Sequence, residues 1–166
     1  MHFRPRLEGL TDEEYLWEPA PGAWNVRPRG TSTTGMAAGG GDFTIDWDMP
    51  EPSPPPVTTI AWRLGHLIVG VLGARNAAHF GAGSADYLTH LYAGTAAGAL
   101  TQLDDAYHTW SKGVALLGED GLHRPVGPTE RGFAEEPMAT LVLHINREMI
   151  HHGAEILLLR DLFRTR

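Results

Sequence analysis

The chain contains no cysteine. This absence excludes disulfides, thiolate nucleophiles and cysteine-ligated zinc, so any metal must be bound by histidine, aspartate or glutamate. The sequence also lacks an apolar run of the roughly 18 to 20 residues that a membrane-spanning helix needs. Its start, MHFRPRLEGL, has no apolar signal-peptide core. We therefore expect a cytoplasmic protein that does not cross a membrane.

Basic side chains are scarce relative to acidic ones. The chain has 13 Lys and Arg against 20 Asp and Glu, which gives a formal net charge of -7. No Lys or Arg lies between Arg29 and Arg63, and that interval holds four acids, Asp42, Asp46, Asp48 and Glu51. Because nucleic-acid binding needs a basic face, the sequence predicts no nucleic-acid partner. An acidic loop closing over a site would also disfavour an anionic ligand.

The length of 166 residues predicts one domain with a single core. Residues 30–57 hold a Gly-rich tract, GMAAGGGD, and a Pro-rich tract, MPEPSPPP, without helical periodicity between them. We predict a long loop over these residues. Within it, the alternation in FTIDWD is enough either to form a short strand or to lay Phe43 and Trp47 onto the domain.

The remaining sequence has helical periodicity. Thr11 and Glu14 have the capping-box spacing, and Pro19 and Pro21 stop the helix that Thr11 begins within about two turns. Apolar spacing and flanking Gly and Pro then predict three longer helices. Their expected bounds are residues 58–80, 95–117 and 137–164. Long helices with few strand signals point to an all-α bundle of about four helices.

Polar side chains interrupt the apolar face of the last predicted helix. At 100° per residue, that face contains Met138, Val142, Ile145, Met149, Ile156 and Phe163. His152 lies within the same stripe and Glu148 lies at its edge, whereas His144, His151 and Glu155 fall on the flank. Since Glu148 and His152 are four residues apart, their side chains are able to hold the same ion.

The second predicted helix supplies another inward imidazole, His66, and three glycines of this helix leave room for a neighbouring helix to approach. Two histidines and one carboxylate from facing helices leave a coordination position open, as catalytic metal sites do. The sequence thus predicts His66, Glu148 and His152 as metal ligands. His144 and Glu155 are placed to orient them.

Two readings without a metal stay open. A lone His66 on an apolar helix is commonly a hydrogen-bonded core residue. Glu148 also has ion-pair partners, either His66 or His152 inside the bundle, or Arg147 or Arg160 at the helix surface. The other five histidines show no ligand spacing, and we expect them at the surface or in loops: His2, His79, His90, His108 and His123.

Four blocks of the sequence carry a family resemblance: LTDEEYLWEPAPGAWNVRPR, TIAWRLGHL, HFG and INREMIHHGAEILLLRDLF. Together they resemble the DinB-like superfamily, in particular its actinobacterial-type stand-alone proteins. The resemblance implies an up-down-down-up four-helix bundle and a divalent metal, often zinc or nickel, held by three histidines. Relatives of this kind include thiol-dependent transferases and isomerases that use mycothiol or bacillithiol.

The resemblance also implies which positions hold the metal. His66 matches the first family histidine, whereas the last-helix motif usually has two histidines four residues apart. Here the second histidine is His151 or His152, and the residues four positions earlier are Arg147 and Glu148. Because arginine does not ligate metals, the match implies an altered triad with a carboxylate. The first family helix is shortened in this chain, so we expect a bundle that is either open on one side or completed by a partner subunit, as in a homodimer.

The leading hypothesis is therefore a metal-dependent enzyme acting on a small molecule, either a thiol-dependent transferase or isomerase, or a hydrolase. Its ion would lower the pKa of a bound water or low-molecular-weight thiol, and His144 or His151 would move the proton. The alternative is a non-catalytic small-molecule binding or interaction module that has kept the bundle and lost the metal.

Overall fold

The amino-terminal segment is compactly folded but contains little helix. The structure, a computed structural model, describes residues 3–166. A 3-10 turn at Arg4–Leu7 precedes α1, Asp12–Leu16. The Thr11 side chain accepts a hydrogen bond from the Glu14 amide at 3.2 Å, so the predicted cap is confirmed. The helix has only five residues, in agreement with the predicted early stop.

A three-stranded antiparallel sheet follows, and it shows that the all-α prediction is wrong. The strands are β1 (Val26–Pro28), β2 (Met36–Ala38) and β3 (Phe43–Trp47), in the order β1-β3-β2. Two of them lie inside residues 30–57, which were predicted to be a loop. FTIDWD does form a strand, because Ile45 is fully buried in the core while its backbone pairs with β1 and β2. The molecule is therefore helical with a sheet, and a pure four-helix bundle is not its architecture.

Asp46 links the sheet internally through its carboxylate and to α2 through its backbone carbonyl. Asp46 is 0% exposed. Its Oδ2 accepts hydrogen bonds from the Asn25 amide at 3.0 Å and from Arg27 Nε at 2.7 Å, and its Oδ1 accepts one from Ser32 Oγ at 2.7 Å. The Asp46 carbonyl accepts a further bond from Trp62 Nε1 at 2.9 Å. Asp46, one of the four acids of the predicted acidic loop, is thus a buried structural residue.

The second predicted helix is confirmed as one continuous rod. Thr59 caps it by accepting a hydrogen bond from the Trp62 amide at 3.2 Å. A π-helical segment forms the middle of the rod, so its backbone turns are wider there than in the flanking α-helical parts. The three parts are α2 (Ile60–His66), the π segment (Leu67–Gly73) and α3 (Ala74–His79).

Two long helices complete the fold. The first, α4 (Ala96–His123), was expected to stop at Gly118, but the chain only kinks there, at φ +62°, and then resumes its helical path. A 3-10 segment at Pro128–Phe133 leads to α5 (Met138–Arg164), which begins one residue after Pro137. No helix in the part of the chain from residue 3 onward is long and apolar enough to cross a membrane.

The amino-terminal turn is held against α5 by a buried ion pair. Arg160 is 2% exposed, and its Nε lies 2.6 Å from Glu14 Oε1. The same guanidinium donates to the carbonyl oxygens of Arg6 and Glu8. Arg160 was considered as a surface partner of Glu148, and that expectation is wrong, because Arg160 points instead into the contact with α1.

We predict that Asp46→Ala destabilises the protein by about 3 to 5 kcal/mol, because it removes one partner of a buried charge pair. Asp42→Ala is the matched control in the same segment, since Asp42 is exposed and its carboxylate makes no hydrogen bond among residues 3–166. The control should change the unfolding free energy by less than about 0.5 kcal/mol. Urea denaturation measures both, and equal effects would refute the assigned role of Asp46.

Candidate metal centre

Two of the predicted ligands meet between α2 and α5. His66 is the last residue of α2, and His152 lies in the buried stripe of α5, where it is 6% exposed. Their ring centroids are 4.8 Å apart and the ring planes are at 85°. This nearly perpendicular arrangement allows in-plane lone pairs of the two rings to point toward a common position. The helical phase of α5 therefore places His152 inward, as expected.

Glu148 lies beside His152 without a good hydrogen bond to it. Glu148 Oε2 is 3.5 Å from His152 Nε2, longer than the usual 2.7–3.2 Å for an N–H···O bond. Two atoms that bind one zinc ion tetrahedrally at about 2.1 Å are roughly 3.4 Å apart. The spacing of these two atoms thus fits a pair of ligands to the same ion better than it fits a hydrogen bond.

The other carboxylate oxygen of Glu148, Oε1, accepts a hydrogen bond from a side chain on the outer surface of the helix. Arg147 donates to Glu148 Oε1 at 2.9 Å, and the same guanidinium nitrogen donates to His144 Nδ1 at 2.9 Å. Burial works to raise the pKa of Glu148, but the Arg147 hydrogen bond and the charges of His144, Arg147 and His152 outweigh it. The pKa of Glu148 is therefore lowered, and its carboxylate is ionised, as a metal ligand must be.

A second carboxylate fixes the orientation of His152. His152 Nδ1 lies 2.7 Å from Glu155 Oε2 and 3.3 Å from an Arg63 guanidinium nitrogen. Because the contact with Glu155 is the shorter one, Nδ1–H donates to Glu155 in the tautomer that leaves Nε2 available to a metal. Arg63 Nε is 3.2 Å from Glu155 but has no well-angled hydrogen bond. A carboxylate on the outer nitrogen is the usual support for a metal-binding histidine.

The second imidazole is held by aromatic side chains. The ring of His66 stacks on Trp62, with centroids 5.6 Å apart and planes at 15°. His66 Nδ1 lies 2.7 Å from the hydroxyl oxygen of Tyr87. When Nδ1 carries the proton and donates to Tyr87, Nε2 is the nitrogen available to a metal. Trp62 in turn stacks on Trp47, and Trp47 stacks on Trp24, so these tryptophans form part of the core.

The protonation state of His66 also suits a ligand. Burial, together with the charges of His152 and Arg63, lowers the pKa of His66 to about 4, although Glu148 and Glu155 act in the opposite direction. The imidazole is therefore neutral at pH 7. A neutral imidazole has the free lone pair that metal binding requires.

His151, the residue next to His152 in the chain, is a competing candidate ligand. Glu148, His151 and His152 have potential ligand atoms within 4.8 Å of one another. His66 lies outside that group, so its side chain would have to move to share their ion. However, the rings of His151 and His152 are stacked 4.5 Å apart at only 21°. Because the two rings are nearly parallel, their lone pairs do not point toward one common position. His151 would therefore also have to rotate to share an ion with His152.

A groove next to this centre is large enough for a small molecule. Its cavity of about 1140 Å³ lies between α3, the 3-10 segment and the first half of α5. His144 and Arg147 form the wall nearest to Glu148, and Phe133 and Leu143 add exposed apolar surface. Neither this cavity nor a separate one of about 480 Å³ is lined by His66, Glu148 or His152.

One histidine of the groove region was not expected to be buried. The side chain of His79 is 6% exposed, and its Nε2 lies 2.9 Å from Glu130 Oε1. Arg75 approaches the other oxygen of Glu130 at 3.3 Å. These partners are 51 residues or more apart in the chain, so no local spacing signals the pair. The expectation for His2 lies outside the described residues.

One of three comparisons with known proteins identifies a family for this chain. The model of one family, described as the DinB superfamily, matches residues 45–156, about two thirds of the chain. The match covers β3 to α5 and includes His66, Glu148 and His152. The predicted resemblance is thereby confirmed. Searches of curated proteins and of solved structures found no match.

We predict that Gly70→Ala disrupts the support of His66. An added Cβ would lie 2.0 Å from the Tyr87 hydroxyl oxygen and 3.3 Å from His66 Nδ1. Alanine normally stabilises a helix by about 1 kcal/mol relative to glycine, so a net loss of about 1 to 3 kcal/mol would report the clash. Gly83→Ala is the control, because nothing lies within 4 Å of its Cβ. Thermal unfolding showing no difference between the variants would contradict the packing described.

Proposed function

Because the chain belongs to the DinB superfamily, we propose that it is a metal-dependent enzyme acting on a small molecule, with His66, Glu148 and His152 as its metal ligands. The observation that carries this proposal is the 3.5 Å separation of Glu148 Oε2 and His152 Nε2. Each of these two groups has its other polar atom held by a separate partner, Arg147 or Glu155. The two facing atoms are thus left for a ligand.

The donor set favours zinc or nickel. Imidazole nitrogens suit both metals, and a third ligand from a carboxylate leaves at least one coordination position for water or substrate. A divalent ion held there would supply Lewis-acid activation of a water or a thiol near neutral pH. His66 and His152 come from different helices, so binding would also tie α2 to α5.

The protein's own residues would perform the remaining tasks. Arg147 holds the Glu148 carboxylate in place, and His144, which accepts from Arg147 at Nδ1, has Nε2 for proton transfer beside the groove. His151 is a second candidate for that role, because its side chain is 59% exposed and lies against His152. The groove would bind the substrate.

The reaction class follows the family resemblance. A transferase or isomerase that uses a low-molecular-weight thiol such as mycothiol or bacillithiol is the first choice, and a hydrolase is the second. The groove combines apolar side chains with Arg75 and Arg147, which suits a ligand of mixed polarity. Hydrolysis remains a candidate because the same centre activates water as readily as thiol.

A non-catalytic binding or interaction module is the competing function. The observation in its favour is that Arg147 and Glu155 already hold one polar atom each of Glu148 and His152 without an ion. In that case the groove binds a small molecule, and the side chains of His66, Glu148 and His152 only stabilise the packing of the helices. Metal analysis of protein purified without added metal separates the two functions, since only the enzyme should retain stoichiometric metal.

We predict that apo-protein binds zinc or nickel, and that His66→Ala, Glu148→Gln and His152→Ala each weaken binding at least tenfold. Competition with a chromophoric chelator measures the affinity. His108→Ala, at an exposed position on α4, is the control and should bind as the parent does. A comparison of the metal affinities of His66→Ala and His151→Ala identifies the third ligand, because only the loss of a ligand should weaken binding. A folded protein with no affinity for either metal would eliminate the enzyme proposal.

We also predict that Ala78→Trp blocks the groove without changing metal affinity. Ala78 lies on α3 in the groove wall and is exposed, so an indole there would fill part of the substrate space. Steady-state kinetics, on a substrate found by screening thiol transfer and hydrolysis, should show a loss of kcat/KM of tenfold or more. Ala97→Trp, exposed on α4 away from both cavities, should leave kcat/KM unchanged. Equal kinetics in the two variants would exclude the groove as the substrate site.

A further inference from the structure

One face of α5 presents a regular row of exposed side chains to solvent. Moving along the helix in steps of three, four, four and three residues, this outer stripe comprises Arg147, Ile150, Ala154, Leu158 and Asp161. Residues at these steps lie on one side of a helix. Ile150 is 73% exposed and Leu158 is 59% exposed, so the stripe shows large apolar side chains to water.

The outer stripe lies opposite the face that packs into the protein. The inward face of α5 buries Ile145, Met149, His152 and Ile156. At 100° per residue, the two faces are separated by about half a turn of the helix. The apolar residues of the outer stripe are therefore not the edge of the core, and no residue of the described chain covers them.

The geometry points to a second copy of this chain as the occupant of the outer stripe. We propose that two copies pair their α5 helices antiparallel, with the twofold axis at Ala154. Ile150 and Leu158 lie four residues on either side of Ala154, so each would face the other across the axis. The small alanine at the centre allows the two helices to approach closely.

Charge complementarity supports the same register. Arg147 and Asp161 lie seven residues on either side of Ala154, so the antiparallel pairing places the arginine of each copy opposite the aspartate of the other. Arg147 is 71% exposed. Asp161 makes no ion pair within residues 3–166, and it lies in the last turn of α5, where the helix dipole disfavours an acid. An arginine from the second copy would offset that unfavourable charge.

This pairing is isologous, since the same patch serves both copies, as in most homodimers. A single pair of helices buries less than the roughly 800 Å² per partner of a standard interface. The dimer is therefore weak and depends on concentration. Because Arg147 also holds Glu148, pairing would bring the interface next to the proposed metal ligands, although the dimer itself does not require a metal.

A cross-linking experiment tests the register directly. The native chain has no cysteine, so Ala154→Cys introduces a single thiol that meets its own copy at the axis. Mild oxidation should convert this variant to a disulfide-linked dimer. Leu116→Cys, at a position on α4 that is 77% exposed, is the control and should cross-link at least tenfold more slowly. Equal rates would overturn the proposed interface.

Sedimentation velocity over a concentration series measures how strongly the two copies associate. The wild-type chain should shift from monomer to dimer, and Ala154→Glu should raise the dissociation constant at least tenfold by placing two like charges at the axis. Asp161→Arg should weaken the dimer similarly, whereas Arg147→Asp combined with Asp161→Arg should restore it. Circular dichroism verifies that each variant is folded. A wild type that remains monomeric throughout, or a double variant without recovery, would contradict the proposal.

Discussion

The buried residue Asp46 makes the contacts on which the joining of the sheet to the helix of the site depends. It joins β3 to β1 and to the Ser32 segment, while its own carbonyl accepts the indole N–H of Trp62. Burying an ionised group without such partners would cost several kcal/mol. The Trp62 bond to that backbone carbonyl closes this side of the sheet against α2. Trp62 then forms the wall on which His66 stacks, so an imidazole in the helical layer packs on a side chain that is hydrogen-bonded to the sheet.

The α5 helix combines packing and chemistry on one face. Ile145, Met149 and Ile156 supply buried apolar contacts, and His152 occupies the same stripe. A buried imidazole is tolerated there because its Nδ1 hydrogen bonds to Glu155. Its second nitrogen faces Glu148 at a distance that hydrogen bonding does not explain well. This nitrogen is the atom on which the proposed metal site depends.

Features set by local sequence were predictable, and features set by distant residues were not. The spacing of Thr11 and Glu14 predicted a helix cap, and the helical periodicity of the last helix predicted that His152 faces the core. The sheet was missed because β2 is flanked by Gly-rich sequence that reads as a loop and because its pairing with β3 is non-local. The pairs of His79 with Glu130 and of Arg160 with Glu14 join residues far apart in the chain, so no spacing pattern indicates them.

The central claim is that His66, Glu148 and His152 converge on one metal ion. The most direct measurement is an anomalous-difference map from crystals of the zinc-loaded protein, recorded on either side of the zinc absorption edge. We expect one strong peak bonded to Glu148 Oε2 and to the Nε2 atoms of His66 and His152. A peak on His151 without His66, or no peak between α2 and α5 in a crystal with zinc elsewhere, would contradict it.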